Sequence, residues 1–290
     1  MLDKLLNLIY SAAKLPFAQA SMQLDKEISS LSKKDFIALL NHIGIIPESI
    51  EHDSTEEKLF SKASDSVLAR AFREIGLRAT VLDERGDSAD VVVKSNIYEY
   101  ELVADAKAFR LSRTAKNQKD FKVNALSGWR KDRDFAVLAS PYFQYPNTRS
   151  QIYKQAIDHN VCLLTWEHLS FLIEQNITET IERNLSDLWD YSAIYAKECL
   201  SSETKRCFIP KFNDYFAQFL EIEADKFETY LQKQKERIAQ QGKVEIAFWQ
   251  EEEQKIRAFS REKAIEELLK TKKITNKIST IKQYIAGLFI

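Results

Sequence analysis

Apolar positions in residues 1 to 43 recur at helical spacing and predict two amphipathic helices, closed by Gly44 and Pro47. A third helix is expected from Ser54-Thr55-Glu56-Glu57, where Ser54 and Glu57 have capping-box spacing, to a stop at Gly76. From Arg78 the period changes. Ala79 to Leu82, Asp90 to Lys94 and Ile97 to Lys107 read as strands, with the turn-forming Glu84-Arg85-Gly86-Asp87-Ser88 between the first two. A polar, basic stretch with a helix ending at Trp129 follows, then a buried-type strand Phe135 to Ala139, a helix near Ser150 to His159 and an apolar strand Val161 to Trp166. Strand, helix, strand at this spacing predicts a crossover and parallel pairing. From about His168 onward only helices are predicted, densely charged between Glu221 and Lys273.

The fold class this order gives is α/β, a mixed central sheet flanked by helices with helical additions at both ends. Residues 1–175 are expected to form the core with its N-terminal helices, and 176–290 a helical region packed on it. The 290 residues suffice for a sizeable core, and the scarcity of Gly (6) and Pro (5) agrees with long helices. Cys162, Cys199 and Cys207 have no paired metal-site spacing, which points to a reducing, cytoplasmic setting. MLDKLLNLIYSAAKLPFAQA resembles a signal peptide superficially, but Asp3 before its apolar stretch and Lys14 and Pro16 after it favour an amphipathic helix. No apolar run approaches the ~20 residues that span a bilayer, so no membrane partner is expected.

The formal net charge of −1 seems to exclude a polyanionic partner, yet its distribution does not. Between Asp105 and Arg133 nine cations face three carboxylates, a local patch compatible with DNA. An acid, any residue, then Lys occurs five times, starting at Glu56, Asp105, Asp120, Glu203 and Glu253; only Asp105 ends an apolar alternating run. In an extended strand Asp105 and Lys107 project to one side. Asp90 opens the preceding strand, so that Asp90 and Asp105 can converge on one Mg²⁺ with Lys107 beside it, a set suited to phosphodiester hydrolysis. Glu57 is a natural third acid at the end of a neighbouring helix, although its capping position explains it equally. The histidines form no ligand or triad spacing, and no Gly-rich phosphate loop is present. After Lys107, the cations Arg110, Arg113, Lys116, Lys119 and Lys122 suit phosphates, while Asn117, Gln118 and Lys119 suit base edges in a major groove.

The run Val103-Ala104-Asp105-Ala106-Lys107 with Phe109 to Lys122 closely resembles the HindIII restriction endonuclease family, as do Glu57 to Ala63, Asp90-Val91 and Phe143-Gln144-Tyr145-Pro146. The resemblance covers most of the chain and is weakest after about residue 175. It implies the PD-(D/E)xK nuclease fold and a homodimer whose twofold axis matches a palindromic site. It further implies Mg²⁺-dependent cutting of double-stranded DNA at AAGCTT after the first A, leaving 5′ overhangs with 5′-phosphates, and a cognate DNA methyltransferase. By position Asp90, Asp105 and Lys107 match the catalytic motif, Asn117, Lys119 and Asp120 fall in the recognition segment, and Asp120 is a candidate for the active site as well. Ala89 stands where the motif's name has Pro. Two other readings stay open: a catalytically silent DNA-binding protein of the same fold, and a repair nuclease that cuts by DNA structure.

Overall fold

The computed structural model describes residues 1–82, 88–113, 118–146, 150–198 and 207–287. The chain forms two compact units, Met1–Gln240 and Gln241–Ile290.

The first unit is built on a five-stranded sheet in the order β1 (Arg78–Val81), β2 (Val91–Lys94), β3 (Glu101–Ala106), β4 (Phe135–Ser140), β5 (Val161–Thr165). β1, β2 and β3 form an antiparallel meander, and β3, β4 and β5 pair in parallel. The sheet is therefore mixed and flanked by helices, as the sequence predicts. Burial follows pairing. β2 hides alternate residues, whereas every residue of β5 and all but the first of β4 are buried, because parallel strands need cover on both faces. β3 is shorter than the predicted run from Ile97. Ser95 Oγ accepts from the Ile97 and Tyr98 amides (3.0 and 2.8 Å), and the Ser95 amide donates to the Tyr100 carbonyl (3.1 Å), so 95–100 turns before the strand begins.

The two helices predicted at the N-terminus are three: α1 (Leu2–Ala12), α2 (Phe17–Ser30) and α3 (Lys33–Leu40). Pro16, which cannot continue a helix interior, opens α2, and Ser32 caps α3 by accepting from the Asp35 amide (3.1 Å). α4 (Thr55–Glu74) starts as expected, with Ser54 Oγ accepting from the Glu57 amide (3.0 Å), and stops at Gly76, whose φ of +95° only glycine takes without strain. From Ala63 to Phe72 α4 is buried on all sides, lying against β1, β2 and β3 and against α2. Arg70 on this helix donates to the Ile28 and Leu31 carbonyls (2.5 and 2.7 Å), satisfying the end of α2.

The basic stretch forms α5 (Gln118–Phe121) and α6 (Val123–Arg130), divided by Lys122 at φ +51°. α6 and α7 (Gln151–His159) lie against the parallel strands, and α8 (Trp166–Glu174) follows β5 directly. Beyond it α9 (Ser186–Trp189), α10 (Tyr191–Glu198), α11 (Phe208–Phe219) and the start of α12 (Ala224–Arg257) complete the unit. His168 is fully buried, with ring centroids of Phe212, Phe216 and Phe227 at 4.7–4.8 Å, and burial holds it neutral, its pKa down at about 3. Cys162 is buried and Cys207 partly so, both as free thiols; Cys199 lies outside the described residues. The second unit holds the distal part of α12 with α13 (Arg261–Thr271) and α14 (Ile274–Gly287). Among the described residues no helix is long and apolar enough to cross a membrane.

Candidate active site

The antiparallel register sets Val91 opposite Ala104, which puts Asp90 opposite Asp105 at the end of the β2–β3 pair away from its connecting turn. The Asp90 amide donates to the Ala104 carbonyl (3.2 Å), and the Ala106 amide approaches Asp90 Oδ2 (3.4 Å). The two acids predicted to converge do so. Asp105 is 3% exposed, and Lys107, on the same side of the chain, sets its ammonium against Asp105 Oδ2 as an ion pair.

Lys107 is seated by its backbone. Its amide donates to the Ala139 carbonyl (2.8 Å), extending the parallel ladder one step past β3, and its carbonyl accepts from Trp166 Nε1 (2.9 Å). Trp166 reaches it by passing close to Gly44, where a Cβ would stand 2.8 Å from both Pro141 Cγ and Trp166 Cδ1. Two steps on, Phe109 bridges to the 44–46 segment, its amide donating to the Gly44 carbonyl (3.0 Å) and its carbonyl accepting from the Ile46 amide (3.2 Å).

A third acid joins the pair from α4. Asp65, 4% exposed, lies within electrostatic reach of Asp90, Asp105 and Lys107 and takes a salt bridge from Lys62 (2.9 Å), one turn earlier on its helix. Burial, then the charges of Asp65 and Asp105, push the Asp90 carboxyl up to about 9; burial against the pull of Lys62 pushes Asp65 up to about 6. Three crowded carboxyls resist ionising together. The donor set suits a divalent cation in its chemistry: Asp90 and Asp105 offer hard oxygens from neighbouring strands, and Asp105 Oδ2, paired with Lys107 by charge, accepts no hydrogen bond.

Glu57 was the acid expected from this helix, and it is placed elsewhere. Eight residues before Asp65, about 12 Å along the helix, its carboxylate accepts from the Asp53 amide (2.8 Å) and pairs with Arg110 (2.7 Å). Asp65 escaped the sequence reading because nothing local marks it: it lies mid-helix, between Ser64 and Ser66, with no turn, cap or strand end. The retrievable signal was its position on the face of Glu57, two turns deeper into a helix whose middle is buried all round.

The cationic segment divides. Arg110, expected at phosphates, turns inward: it donates to the Pro47 carbonyl (2.9 Å) and to Glu57, and its side chain is 12% exposed. Ser112 donates to Glu48 from both amide and hydroxyl (3.1 and 3.0 Å), fastening the same stretch to the 44–48 segment. Arg113 pairs with Asp120, so the carboxylate of Asp120 on α5 meets a guanidinium from the stretch before that helix. Gln118 accepts from Gln155 Nε2 (3.0 Å), and Lys122 lies over the Trp129 ring (5.8 Å). Gln118, Lys119 and Lys122 are exposed; Lys116 and Asn117 lie outside the described residues.

Comparison with known proteins agrees with the resemblance of the central run. The small subunit of the heterodimeric restriction endonuclease R.BspD6I aligns with a TM-score of 0.33 and 10% identity over 70% of this chain and 98% of its own. The type II restriction enzyme HindIII of Haemophilus influenzae is 45% identical over 287 residues, 99% of this chain and 96% of that enzyme. The model of the HindIII restriction endonuclease family matches residues 4–285, so from end to end the chain belongs to the HindIII restriction endonuclease family.

Proposed function

We propose that this chain is a type II restriction endonuclease that hydrolyses phosphodiester bonds of double-stranded DNA with Mg²⁺, at AAGCTT after the first A. The observation that carries the chemistry is the convergence of Asp90, Asp105 and Lys107, joined by Asp65. The three carboxylates would hold the cation, which when bound polarises the phosphate and makes water more acidic. Lys107, anchored at its backbone, orients the attacking water and faces charge developing on the phosphoryl oxygens. Water oxygen bonds to phosphorus, the bond to the 3′ oxygen breaks, and that oxygen takes a proton. The products are 5′-phosphate and 3′-hydroxyl ends.

Lys116, Asn117, Gln118, Lys119 and Lys122 supply the DNA contacts in this reading, with amides suited to adenine and lysines to guanine or phosphate. Arg110 and Glu57 hold the segment in place, and Arg113 does so through Asp120. One acid cluster per chain cuts one strand. Cutting both strands of a palindrome therefore calls for a homodimer sharing the DNA dyad. A cytoplasmic enzyme of this kind needs a cognate DNA methyltransferase to protect host sites, with no stable complex between the two.

Digestion of a sequenced plasmid with Mg²⁺ and with EDTA, followed by sequencing of the ends, tests the reading. Mg²⁺-dependent ends confined to AAGCTT are expected, and ends elsewhere would keep the reaction but replace the target. Asp105→Asn should abolish cleavage and leave DNA binding intact; cleavage by that variant would remove Asp105 from the mechanism.

A further inference from the structure

Residues 107–113 lead from the lysine of the acid cluster to the segment that meets DNA in the proposed function. A free connector would let either end move without the other. This one is held along its length by a single neighbour, residues 44–48. Ile45 pairs with Phe109 in parallel, the Gly44 carbonyl and the Ile46 amide taking the two backbone bonds of Phe109. One residue on, the Pro47 carbonyl accepts from the Arg110 guanidinium (2.9 Å). The last hold is Glu48, whose two carboxylate oxygens accept from the Ser112 amide (3.1 Å) and hydroxyl (3.0 Å).

Glu48 is 6% exposed, whereas Ser112 lies at the surface. A carboxylate taken from water needs hydrogen bonds in exchange, and a bond to a charged acceptor is stronger than one between neutral groups. The pairing at Phe109 therefore sets the register of the connector, and Glu48 sets where the chain goes after it. We infer that Glu48 is a positioning residue that determines specificity: through Ser112 it makes residues 107–113 one rigid arm, which brings Lys107 to the scissile phosphate when the following segment is seated on its own bases. On other bases the same arm carries Lys107 out of line, and a misplacement of about 1 Å costs on the order of a hundredfold in rate. Glu48 itself touches neither DNA nor cation in this role, which deepens the proposed function and rests on it.

Single-turnover cleavage of AAGCTT and of duplexes differing from it by one base pair, with affinity measured in Ca²⁺, tests the assignment. Glu48→Ala should slow cleavage at AAGCTT by about a hundredfold with little change in affinity. It should slow the one-base variants far less, so that discrimination falls at least about tenfold. Glu48→Gln keeps an acceptor for the amide and offers the hydroxyl a donor, and should restore most of the discrimination; Ser112→Ala, with one bond of the two, should fall between. Glu179 is a second buried carboxylate, bonded to Ser95 and Tyr100 at the far end of β2 and β3 from Asp90. Glu179→Gln should lower the melting temperature and leave discrimination at the wild-type value. The inference is overturned if Glu48→Ala and Ser112→Ala slow all duplexes equally, if they weaken affinity instead of rate, or if Glu179→Gln loses discrimination as they do. Should Glu48→Ala fail to fold, Ser112→Ala decides. A wild type that cuts another sequence replaces the target alone, and the same comparison is made around that sequence. A wild type that cuts nothing overturns the proposed function and this inference with it.

Discussion

Around α4 and the sheet, Phe72, Phe121 and Leu164 are wholly buried, and so much apolar surface surrounds them that Asp65 and Asp105 can be buried beside them with Asp90 half-buried; on α13 nothing is buried, though its leucines and isoleucine are as apolar. The first unit spends its packing on holding charge where water would screen it. The second leaves its apolar stripes half exposed. Stability and function oppose each other in the first unit, whereas in the second the exposed apolar residues add little to the stability of the chain.

The largest effect should separate the two units by truncation. Phe72→Ala removes a ring in edge contact with Trp189 (5.7 Å) and should destabilise the chain by about 3–5 kcal/mol. Leu268→Ala should change the unfolding free energy by no more than about 0.5 kcal/mol. Urea unfolding of each variant checks the contrast. Equal losses would mean that the second unit has a core of its own.

A smaller effect should expose the opposition within the first unit. A carboxyl whose folded pKa is raised stabilises the fold while protonated; that contribution is complete below the usual value of 3.8 and is lost as pH rises towards the folded value, about 9 for Asp90 and about 6 for Asp65. His168 acts in the other direction, since its lowered pKa makes its contribution complete above 6.5 and lost as pH falls towards about 3. Without divalent cation, thermal stability should therefore fall from pH 6 towards pH 8, and also on acidification. Asp90→Asn should flatten the alkaline limb and stabilise the cation-free protein at pH 8 by roughly 1–2 kcal/mol, one pKa unit being about 1.4 kcal/mol. Ca²⁺, an oxygen-seeking probe, should raise the melting temperature of the wild type and not of the variant. An Asp90→Asn protein as destabilised at pH 8 as the wild type would show that the acids are not crowded.

The contrast also explains what the sequence could disclose. β2, β3, β4 and β5 were legible because their apolar runs have the period of strands, and the meeting of Asp90 with Asp105 followed from two strand positions fifteen residues apart. The break of the first helices at Pro16 and Ser32 was legible in principle, since both are helix-starting residues. Asp65 was not, because its place is set by the packing of α4 across β1, β2 and β3, a contact that no local pattern encodes. The same holds for Arg110: its spacing in the basic run is that of its neighbours, and only the carbonyl of Pro47 and the carboxylate of Glu57, both distant in sequence, turn it inward. The apolar stripes of α13 and α14 were legible as helices, but dense charge around them hid that they lack cover.

The smallest effect separates Arg110 from Lys119, two cations nine residues apart that composition cannot distinguish. Lys119 is exposed on α5, and in the proposed function it meets DNA; Arg110 is enclosed and holds Glu57. Loss of a phosphate contact reduces the slope of log binding constant against log salt by about 0.9, whereas loss of the cation of a part-buried ion pair, whose carboxylate still accepts from the Asp53 amide, lowers stability by about 1 kcal/mol. Lys119→Ala should therefore change the salt slope of binding to an AAGCTT duplex in Ca²⁺ by about one and leave the melting temperature alone, while Arg110→Ala should lower the melting temperature and leave the slope unchanged. If Lys119→Ala instead weakens binding to AAGCTT but not to other duplexes, at an unchanged salt slope, Lys119 reads a base. If Arg110→Ala reduces the slope, the guanidinium leaves Glu57 for DNA, and the charge packed inside the first unit is released on binding.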